Sequence, residues 1–239
     1  CYIDDLMIGL DKLIENDVNI PINMGSDEAI TMTQLADMLI EISGKKITIT
    51  AGPTREQIDP VRFISNNSSG KMGYAMAEAA VEYGAIVNLV SGPVSIIPNT
   101  SVNLIKVNSA SEMFKSVIKY MDDSDIFIGC AAVSDFKPSK YSDKKIKKND
   151  ISNIDLGLKK NKDILSFVAS NFISAYVVGF AAETDNVDTN AKKKLEAKNL
   201  DMIVSNDVSD KSIGFDVDDN EVNVYTKNNK FFIKVFYNF

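Results

Sequence analysis

The chain has 239 residues, 45% of them hydrophobic, which is enough to bury the core of one large domain or of one domain with an appendage. Its formal net charge of −7 argues against a bulk nucleic-acid binder, and the absence of histidine excludes Ser-His-Asp triads, histidine metal sites and a histidine general base. The two cysteines form no CxxC motif and no apolar run is long enough to span a membrane, so we predict a reducing, cytoplasmic compartment.

Residues 1–45 have a pattern of their own. Apolar spacing predicts two amphipathic helices there, the second running from Met32 to Ile42 behind the capping residue Thr31. The stretch NMGSDEAITMTQLADMLIEISG resembles the C-terminal tail of nucleotide-sugar epimerases of the extended short-chain dehydrogenase type. The Gly-rich loop and the Tyr-x-x-x-Lys pair of that family are absent, so we interpret residues 1–45 as a helical N-terminal appendage and residues 46–239 as the main domain.

From Lys46 onward, short apolar runs alternate with helical patterns. The predicted strands are Ile47–Thr50, Ile86–Val90, Asn103–Val107, Asp125–Gly129, a strand near Ile154–Leu158, Tyr176–Phe180 and Asp201–Ser205. The predicted helices are Ser69–Tyr83, one from Ser109 or Ser111 to Met121, one beginning at 161–164, and Val187–Asn199. This alternation predicts an α/β fold, with a Rossmann-like, doubly wound, mostly parallel sheet and helices on both faces. Alternating apolar residues around Asn228 and Asn229 predict a terminal β-hairpin.

Polar side chains concentrate where two of the predicted strands end. The loop after the first strand carries Thr54, Arg55, Glu56, Asp59, Arg62, Asn66 and Asn67. The segment Gly129–Asp135 follows a later strand. Because ligands bind beyond the carboxyl ends of the strands in such folds, we expect both segments to contribute to one site. Gly70 and Gly73, at the start of the first helix, are interpreted as positions of close helix packing.

Lysines are clustered in two places. Residues 136–150, called the flap below, are rich in lysine and turns, which fits either a solvated surface or a flap that closes over phosphates. Lys194 and Lys198 lie four residues apart on one helix face, and this spacing fits a solvated pair as well as two cations aimed at a triphosphate. Neither a GxxxxGK[ST] nor a GxGxxG motif occurs, so a P-loop NTPase is excluded.

Six stretches together resemble phosphopantothenoylcysteine synthetase (phosphopantothenate–cysteine ligase) of the bacterial CTP-dependent type. They are TAGPTREQIDPVRFISNNSSGKMG at 50–73, LVSGPVS at 89–95, FIGCAAVSDFKP at 127–138, KIKK at 145–148, VVGFAAETDN at 177–186 and NLDMIVSNDVS at 199–209. The resemblance implies a ligase of coenzyme A biosynthesis that joins 4′-phosphopantothenate to cysteine through an acyl-cytidylate, using CTP and Mg²⁺. It further implies a homodimer, and the net charge and the lack of a long apolar run predict no nucleic-acid or membrane partner. No flavin is expected, because the decarboxylase domain that often precedes this one is not matched.

The same resemblance assigns the site residues. Asn66 and Lys145 are the catalytic candidates, with Asn66 at the carbonyl of the intermediate and Lys145 on the flap. The nucleotide-binding candidates are Gly129, Cys130, Ala131, Asp135, Lys145, Asn161, Lys162, Asp163, Ile164, Phe180, Lys194 and Lys198. The substrate-binding candidates are Arg62, Asn66, Ala131 and Ala132. No Mg²⁺ ligand is assigned, and Lys162 stands where the family usually has proline.

Two other functions stay open at this point. The epimerase-like N-terminus fits a paralogue that cytidylylates another acid in a surface-sugar pathway. Lys162, together with the absence of the family's usual helix after the last hairpin, fits a non-catalytic nucleotide-binding module. The nucleophile role that Cys130 suggests is set aside, because no base is near it in the sequence and a small apolar packing role is the simpler interpretation.

Overall fold

The computed structural model describes residues 43–98, 100–147, 154–183, 187–207, 219–227 and 230–236, so the predicted appendage lies almost wholly outside the described residues. The strands, in chain order, are β1 (Lys46–Ala51), β2 (Arg55–Gln57), β3 (Phe63–Ser65), β4 (Ile86–Ser91), β5 (Asn103–Lys106), β6 (Ile126–Gly129), β7 (Phe136–Pro138), β8 (Leu158–Lys160), β9 (Tyr176–Glu183), β10 (Met202–Asp207), β11 (Asp219–Thr226) and β12 (Lys230–Phe236). The helices are α1 (Lys71–Glu82), α2 (Ala110–Met121), α3 (Ile164–Asn171) and α4 (Val187–Ala197).

Eight strands form one central sheet in the order β12-β11-β10-β9-β6-β1-β4-β5. The six strands from β10 to β5 are parallel, and the hairpin β11–β12 adds two antiparallel strands at one edge. The chain runs from β1 through β4 to β5 on one side, and then from β6 through β9 to β10 on the other. The topological switch point therefore lies between β1 and β6, which is where open α/β sheets bind ligands. This topology confirms the predicted fold class.

Helices cover both faces of the sheet, as predicted. On one face, Tyr74 and Ala77 of α1 are buried in the same apolar cluster as Ile49 of β1. On the other face, side chains of α2, α3 and α4 share a second cluster, with Val117 and Leu195 among its buried members. Burying each side chain of this size stabilises the fold by roughly 1.5–3 kcal/mol. None of the helices within these ranges is long and apolar enough to cross a lipid bilayer.

Glycine at position 73 permits the close approach of α1 to β1. A Cβ atom at Gly73 would lie 2.6 Å from the Cβ atom of Ala51 and 3.2 Å from the carbonyl oxygen of Thr50. Such distances leave no room for a methyl group unless the helix moves away from the strand. The sequence-based interpretation of Gly73 as a close packing position is therefore confirmed.

Two small antiparallel sheets, β2–β3 and β7–β8, differ from the prediction. The segment of β2 and β3 was expected to be a loop, and each of its strands is only three residues long. The strand predicted near Ile154–Leu158 is wrong, because residues 154–157 form no strand and pairing begins at Leu158, opposite Pro138. Its alternating apolar residues imitate a half-buried strand, but Ile154 and Leu156 are 55% and 42% exposed.

Candidate functional site

The loops that follow β1 and β6 are joined to each other beyond the ends of their strands. Pro53 and Ala132 form a parallel bridge, and the Ala132 N–H donates to the carbonyl oxygen of Gly52 at 2.9 Å. The Thr54 N–H donates to the Ala132 carbonyl at 3.3 Å, and the Ser134 N–H donates to the Thr54 hydroxyl oxygen at 3.0 Å. The two loops therefore form one backbone unit at the topological switch point.

Asn66 belongs to this unit as well. Its side-chain amide donates to the carbonyl oxygen of Val133 at 3.2 Å and lies 3.5 Å from that of Ala132. The amide is exposed, so it contacts the β6 loop and also faces solvent. The structure thus brings together Asn66 and Ala132, two residues that the sequence assigned to the acyl substrate.

A cleft of about 530 Å³, called the switch-point cleft below, opens beside these loops at the carboxyl ends of β6 and β9. Ten of the twelve nucleotide-binding candidates line it, namely Gly129, Ala131, Asp135, Asn161, Lys162, Asp163, Ile164, Phe180, Lys194 and Lys198. Two further lining residues, Val133 and Ser134, belong to the predicted segment Gly129–Asp135. Five more were not singled out from the sequence: Thr50, Phe127, Phe136, Lys160 and Leu165. The other two candidates, Cys130 and Lys145, do not line it.

The lining of the switch-point cleft is positively charged. Its charged residues are four lysines and two aspartates, namely Lys160, Lys162, Lys194, Lys198, Asp135 and Asp163, which leaves two positive charges in excess. A concave surface of one sign raises the local concentration of oppositely charged ligands. The cleft is therefore suited to a polyanion such as a nucleoside triphosphate.

Asp163 connects the start of α3 to Lys198, the residue that follows α4, within this lining. One of its carboxylate oxygens accepts the Ser166 N–H at 3.0 Å and caps α3, and the other lies 2.7 Å from the Nζ atom of Lys198. Desolvation opposes ionisation of Asp163, but the hydrogen bonds from Lys198 and Ser166 outweigh it and lower the pKa. Asp163 thereby fixes the position of the Lys198 ammonium group at the cleft.

The turn before α3 is hydrogen-bonded with lysine at position 162, where the resemblance implies proline. The Asn161 N–H donates to the Asp135 carbonyl at 2.8 Å, and its side-chain amide donates to the Ser134 carbonyl at 2.8 Å. The Nζ atom of Lys162 lies 4.7 Å from the centre of the Phe114 ring, in a cation–π contact. Position 162 therefore adds a cation to the cleft while the hydrogen bonds of the turn are kept.

Cys130 lies on the other face of the sheet. It packs against the apolar cluster that contains α1, whereas its neighbour Ala131 packs against the opposite cluster and lines the cleft. Burial raises the pKa of the Cys130 thiol to about 12. Its side chain is therefore a packing group here, and a nucleotide contact by Cys130 could use only its backbone.

This placement predicts a thiol of low reactivity. Desolvation keeps this thiol almost wholly protonated at pH 8, where roughly a quarter of an ordinary cysteine is ionised. We expect iodoacetamide to alkylate Cys130 in the native chain at least ~100-fold more slowly than in urea, as followed by peptide mass. Equal rates in the two conditions would contradict the buried placement.

Lys145 and Arg62 are held outside the cleft by a carboxylate to which the sequence gave no role. Asp59 is fully buried, and its carboxylate accepts the backbone N–H of Ile146, next to Lys145, at 3.1 Å. It also accepts the Nη1 group of Arg62 at 2.5 Å, and that same group donates to the Ile146 carbonyl at 3.1 Å. Lys145 itself is exposed. Arg62 is therefore engaged by Asp59 and by the flap.

The ionisation of Asp59 follows from these contacts. Desolvation raises its pKa, but hydrogen bonds from the backbone of Val61, Ile146 and Arg62 and from the Arg62 side chain outweigh that effect and lower the pKa to about 2. Because this lies below the ordinary value of 3.8, the ionised carboxylate stabilises the fold above about pH 4. That stabilisation is lost as the pH falls through about 2.

Comparison with known proteins places this geometry in a family. Residues 42–234 match the family described as "DNA/pantothenate metabolism flavoprotein C-terminal domain". The chain is 50% identical over 186 residues to the coenzyme A biosynthesis bifunctional protein CoaBC of Vibrio vulnificus strain YJ016. The aligned residues make up 77% of this chain and 46% of that protein. It is also 50% identical over 187 residues to the Bacillus subtilis protein of the same name, covering 78% and 46%. The chain thus spans just under half the length of these relatives.

Solved structures agree with the sequence matches. The crystal structure of the C-terminal domain of CoaBC is similar with a TM-score of 0.67 and 42% identity, covering 81% of this chain and 86% of that one. A DNA/pantothenate metabolism flavoprotein from Streptococcus pneumoniae has a TM-score of 0.70 at 24% identity, covering 80% and 93%, and shares the fold. The family match over most of the chain and the relatives at 50% identity show that this chain belongs to the family of the DNA/pantothenate metabolism flavoprotein C-terminal domain.

Proposed function

We propose that the chain is a CTP-dependent phosphopantothenate–cysteine ligase acting in coenzyme A biosynthesis in the cytoplasm. The observation that carries the proposal is the lysine-lined switch-point cleft, joined through the Ala132–Val133 backbone to the loop that bears Asn66. An anionic nucleotide and an acyl substrate could meet at this junction. The name of the relatives, a bifunctional protein of coenzyme A biosynthesis, supports the same pathway.

The chemistry of the proposed reaction suits a site without histidine. A carboxylate oxygen of 4′-phosphopantothenate attacks the α-phosphorus of CTP, an acyl–oxygen–phosphorus linkage forms, and the bond to pyrophosphate breaks. The amine of cysteine then attacks the acyl carbon, an amide bond forms, CMP leaves, and the amine gives up a proton. The first nucleophile is already ionised, so charge neutralisation and positioning are the main requirements.

The residues divide into a nucleotide side and an acyl side. Lys194 of α4 and Lys198, the residue that follows α4, would face the phosphates, and Asp163 keeps Lys198 in place. Mg²⁺ commonly binds proteins through one or two carboxylates together with substrate phosphates, and Asp135 in the cleft lining offers such a carboxylate. The ion would neutralise phosphate charge. On the acyl side, the Asn66 amide, which has a second hydrogen besides the one donated to Val133, would donate to the carbonyl of the intermediate.

We further propose that the main domain begins near residue 46 and that the chain works as a homodimer. Large apolar side chains are exposed on the two small sheets and on the segments next to them, namely Val61, Phe63, Phe136, Tyr141, Ile154, Leu156 and Leu158. The two sheets touch through β2 and β7, so these side chains lie on adjoining elements. An exposed apolar patch of this kind marks a contact surface, and a second copy of the chain is the partner proposed here.

Pyrophosphate release tests the proposed function. The chain is incubated with CTP and Mg²⁺, with and without 4′-phosphopantothenate, and pyrophosphate is measured by a coupled assay. We expect release that depends on phosphopantothenate. Release with an unrelated carboxylic acid but not with phosphopantothenate would favour the paralogue, and CTP left intact with every acid would favour the binding module.

Replacing Lys198 with methionine tests the nucleotide side. Lys198→Met removes a cation from the cleft and keeps the length of the side chain, and we expect KM for CTP to rise by ~10-fold or more, since a charge-assisted contact contributes roughly 1.5–3 kcal/mol. Lys193→Met is the matched control, because Lys193 is exposed on α4 nearby and does not line the cleft. Equal effects of the two substitutions on KM would contradict the assignment.

A further inference from the structure

The turn at residues 58–62 is bound to the flap by three hydrogen bonds. The Ser142 N–H donates to the Ile58 carbonyl at 3.0 Å, the Ile146 N–H donates to the Asp59 carboxylate at 3.1 Å, and Arg62 donates to the Ile146 carbonyl at 3.1 Å. These contacts join segments more than 80 residues apart in the chain. Residues 142–146 of the flap are therefore docked on the acyl-side loop, and Lys145 lies within the docked segment.

Asp59 is the centre of this contact. One carboxylate oxygen accepts the N–H groups of Val61 and Arg62, each at 2.8 Å, which closes the turn. The other oxygen accepts Arg62 Nη1 and the Ile146 N–H, which attaches the flap. The carboxylate is fully buried, and each of its oxygens accepts two hydrogen bonds, so both are satisfied. One oxygen closes the turn and the other attaches the flap.

We propose that Asp59 is a positioning residue that fixes the Lys145 segment of the flap to the Arg62 turn. This contact thereby sets the spacing between the acyl-side loop and Lys145. Asp59 contacts neither reacting group in this arrangement, and it acts on turnover through Lys145. The role in turnover rests on the proposed function, whereas the docking of the flap can be tested without any activity.

Replacing Asp59 with asparagine separates these roles at constant size. The asparagine amide is uncharged and has one acceptor oxygen where the carboxylate has two. If that oxygen keeps its bonds to the turn, the amide NH₂ group faces the Ile146 N–H. Arg62 also loses its ionic partner. We expect amide hydrogen exchange in the peptide containing Ser142 and Ile146 to become ~10-fold or more faster, with exchange in α1 unchanged. The matched control is Asp143→Asn, which removes an exposed carboxylate from the same segment.

A double-mutant cycle tests the action through Lys145. We expect Asp59→Asn to lower kcat at least ~10-fold in the wild-type background and less than ~3-fold in a Lys145→Gln background, because residues that act through one group are not additive. If the role of Asp59 were purely structural, Asp59→Asn would lower kcat by the same factor in both backgrounds. That result would overturn the proposal. Amide hydrogen exchange in the peptide containing Ser142 and Ile146 that is unchanged in Asp59→Asn would also overturn the proposal. A wild-type chain that makes no product would instead overturn the proposed function, and the exchange result would still decide whether the flap is docked.

Discussion

Asn66→Asp is expected to lower kcat by ~10²–10³, the range seen when one donor to a developing oxyanion is removed. The substitution replaces the amide donor to the Val133 carbonyl, 3.2 Å away, with a carboxylate that repels that oxygen. It also places a negative charge on the loop where, in the proposed reaction, a carboxylate must approach a phosphate. The side chain is exposed, so we expect little change in stability. Steady-state rates with saturating CTP and phosphopantothenate measure the effect.

Asn67→Asp is the matched control for this prediction. It makes the same change of charge one residue further along the loop, at a position that is also exposed. We expect Asn67→Asp to keep kcat within about 3-fold of wild type, since exposed substitutions away from a site have small effects. The assignment of Asn66 would be refuted if both variants lost activity equally, or if Asn66→Asp turned over at the wild-type rate.

Gly92→Ala is expected to destabilise the domain by at least ~3 kcal/mol, at the upper end of the cost of overpacking. A Cβ atom at Gly92 would lie 1.8 Å from the carbonyl oxygen of Pro53 and 2.8 Å from its carbonyl carbon. Both atoms belong to the backbone, so no change of rotamer relieves the clash. The loop after β1 must move, and with it the bridge between Pro53 and Ala132 that holds the acyl side to the cleft.

Thermal unfolding measures the cost of this substitution. For a domain of this size, ~3 kcal/mol corresponds to a drop in Tm of roughly 6–12 °C. Gly157→Ala is the matched control, because a Cβ atom there would meet only the Ser139 side chain at 3.4 Å, and we expect its Tm to stay within about 3 °C of wild type. A Gly92→Ala chain as stable as Gly157→Ala would show that Pro53 is not packed against Gly92.

The sheet could be predicted from the sequence because its signals are local. The apolar run at Ile47–Thr50 and the helical pattern after it predicted β1 and α1 to within about two residues. The two small sheets could not be predicted, because three-residue strands carry too little alternation to be distinguished from a polar loop. In the second of these sheets, Phe136 pairs with Lys160, so the two strands are also distant in the chain.

The segments that form the site could be predicted from the sequence, but the side chains that face the cleft could not. Strand ends placed Gly129–Asp135 and the Asn66 loop at one edge of the sheet, where the structure has them. The short strand β6 is buried on both faces, so its sequence lacks the alternation that would tell which side chain faces the cleft. The structure shows that Ala131 does and that the Cys130 side chain packs on the other face. The docked position of Lys145 likewise depends on long-range hydrogen bonds.

The central claim is that one site activates an acyl carboxylate with CTP before cysteine enters. The most direct test incubates the chain with CTP, Mg²⁺ and 4′-phosphopantothenate in the absence of cysteine and identifies the products by mass. We predict 4′-phosphopantothenoyl-CMP together with pyrophosphate, followed by conversion to the cysteine amide and CMP when cysteine is added. CTP and phosphopantothenate recovered unchanged from a folded, dimeric protein would contradict the account.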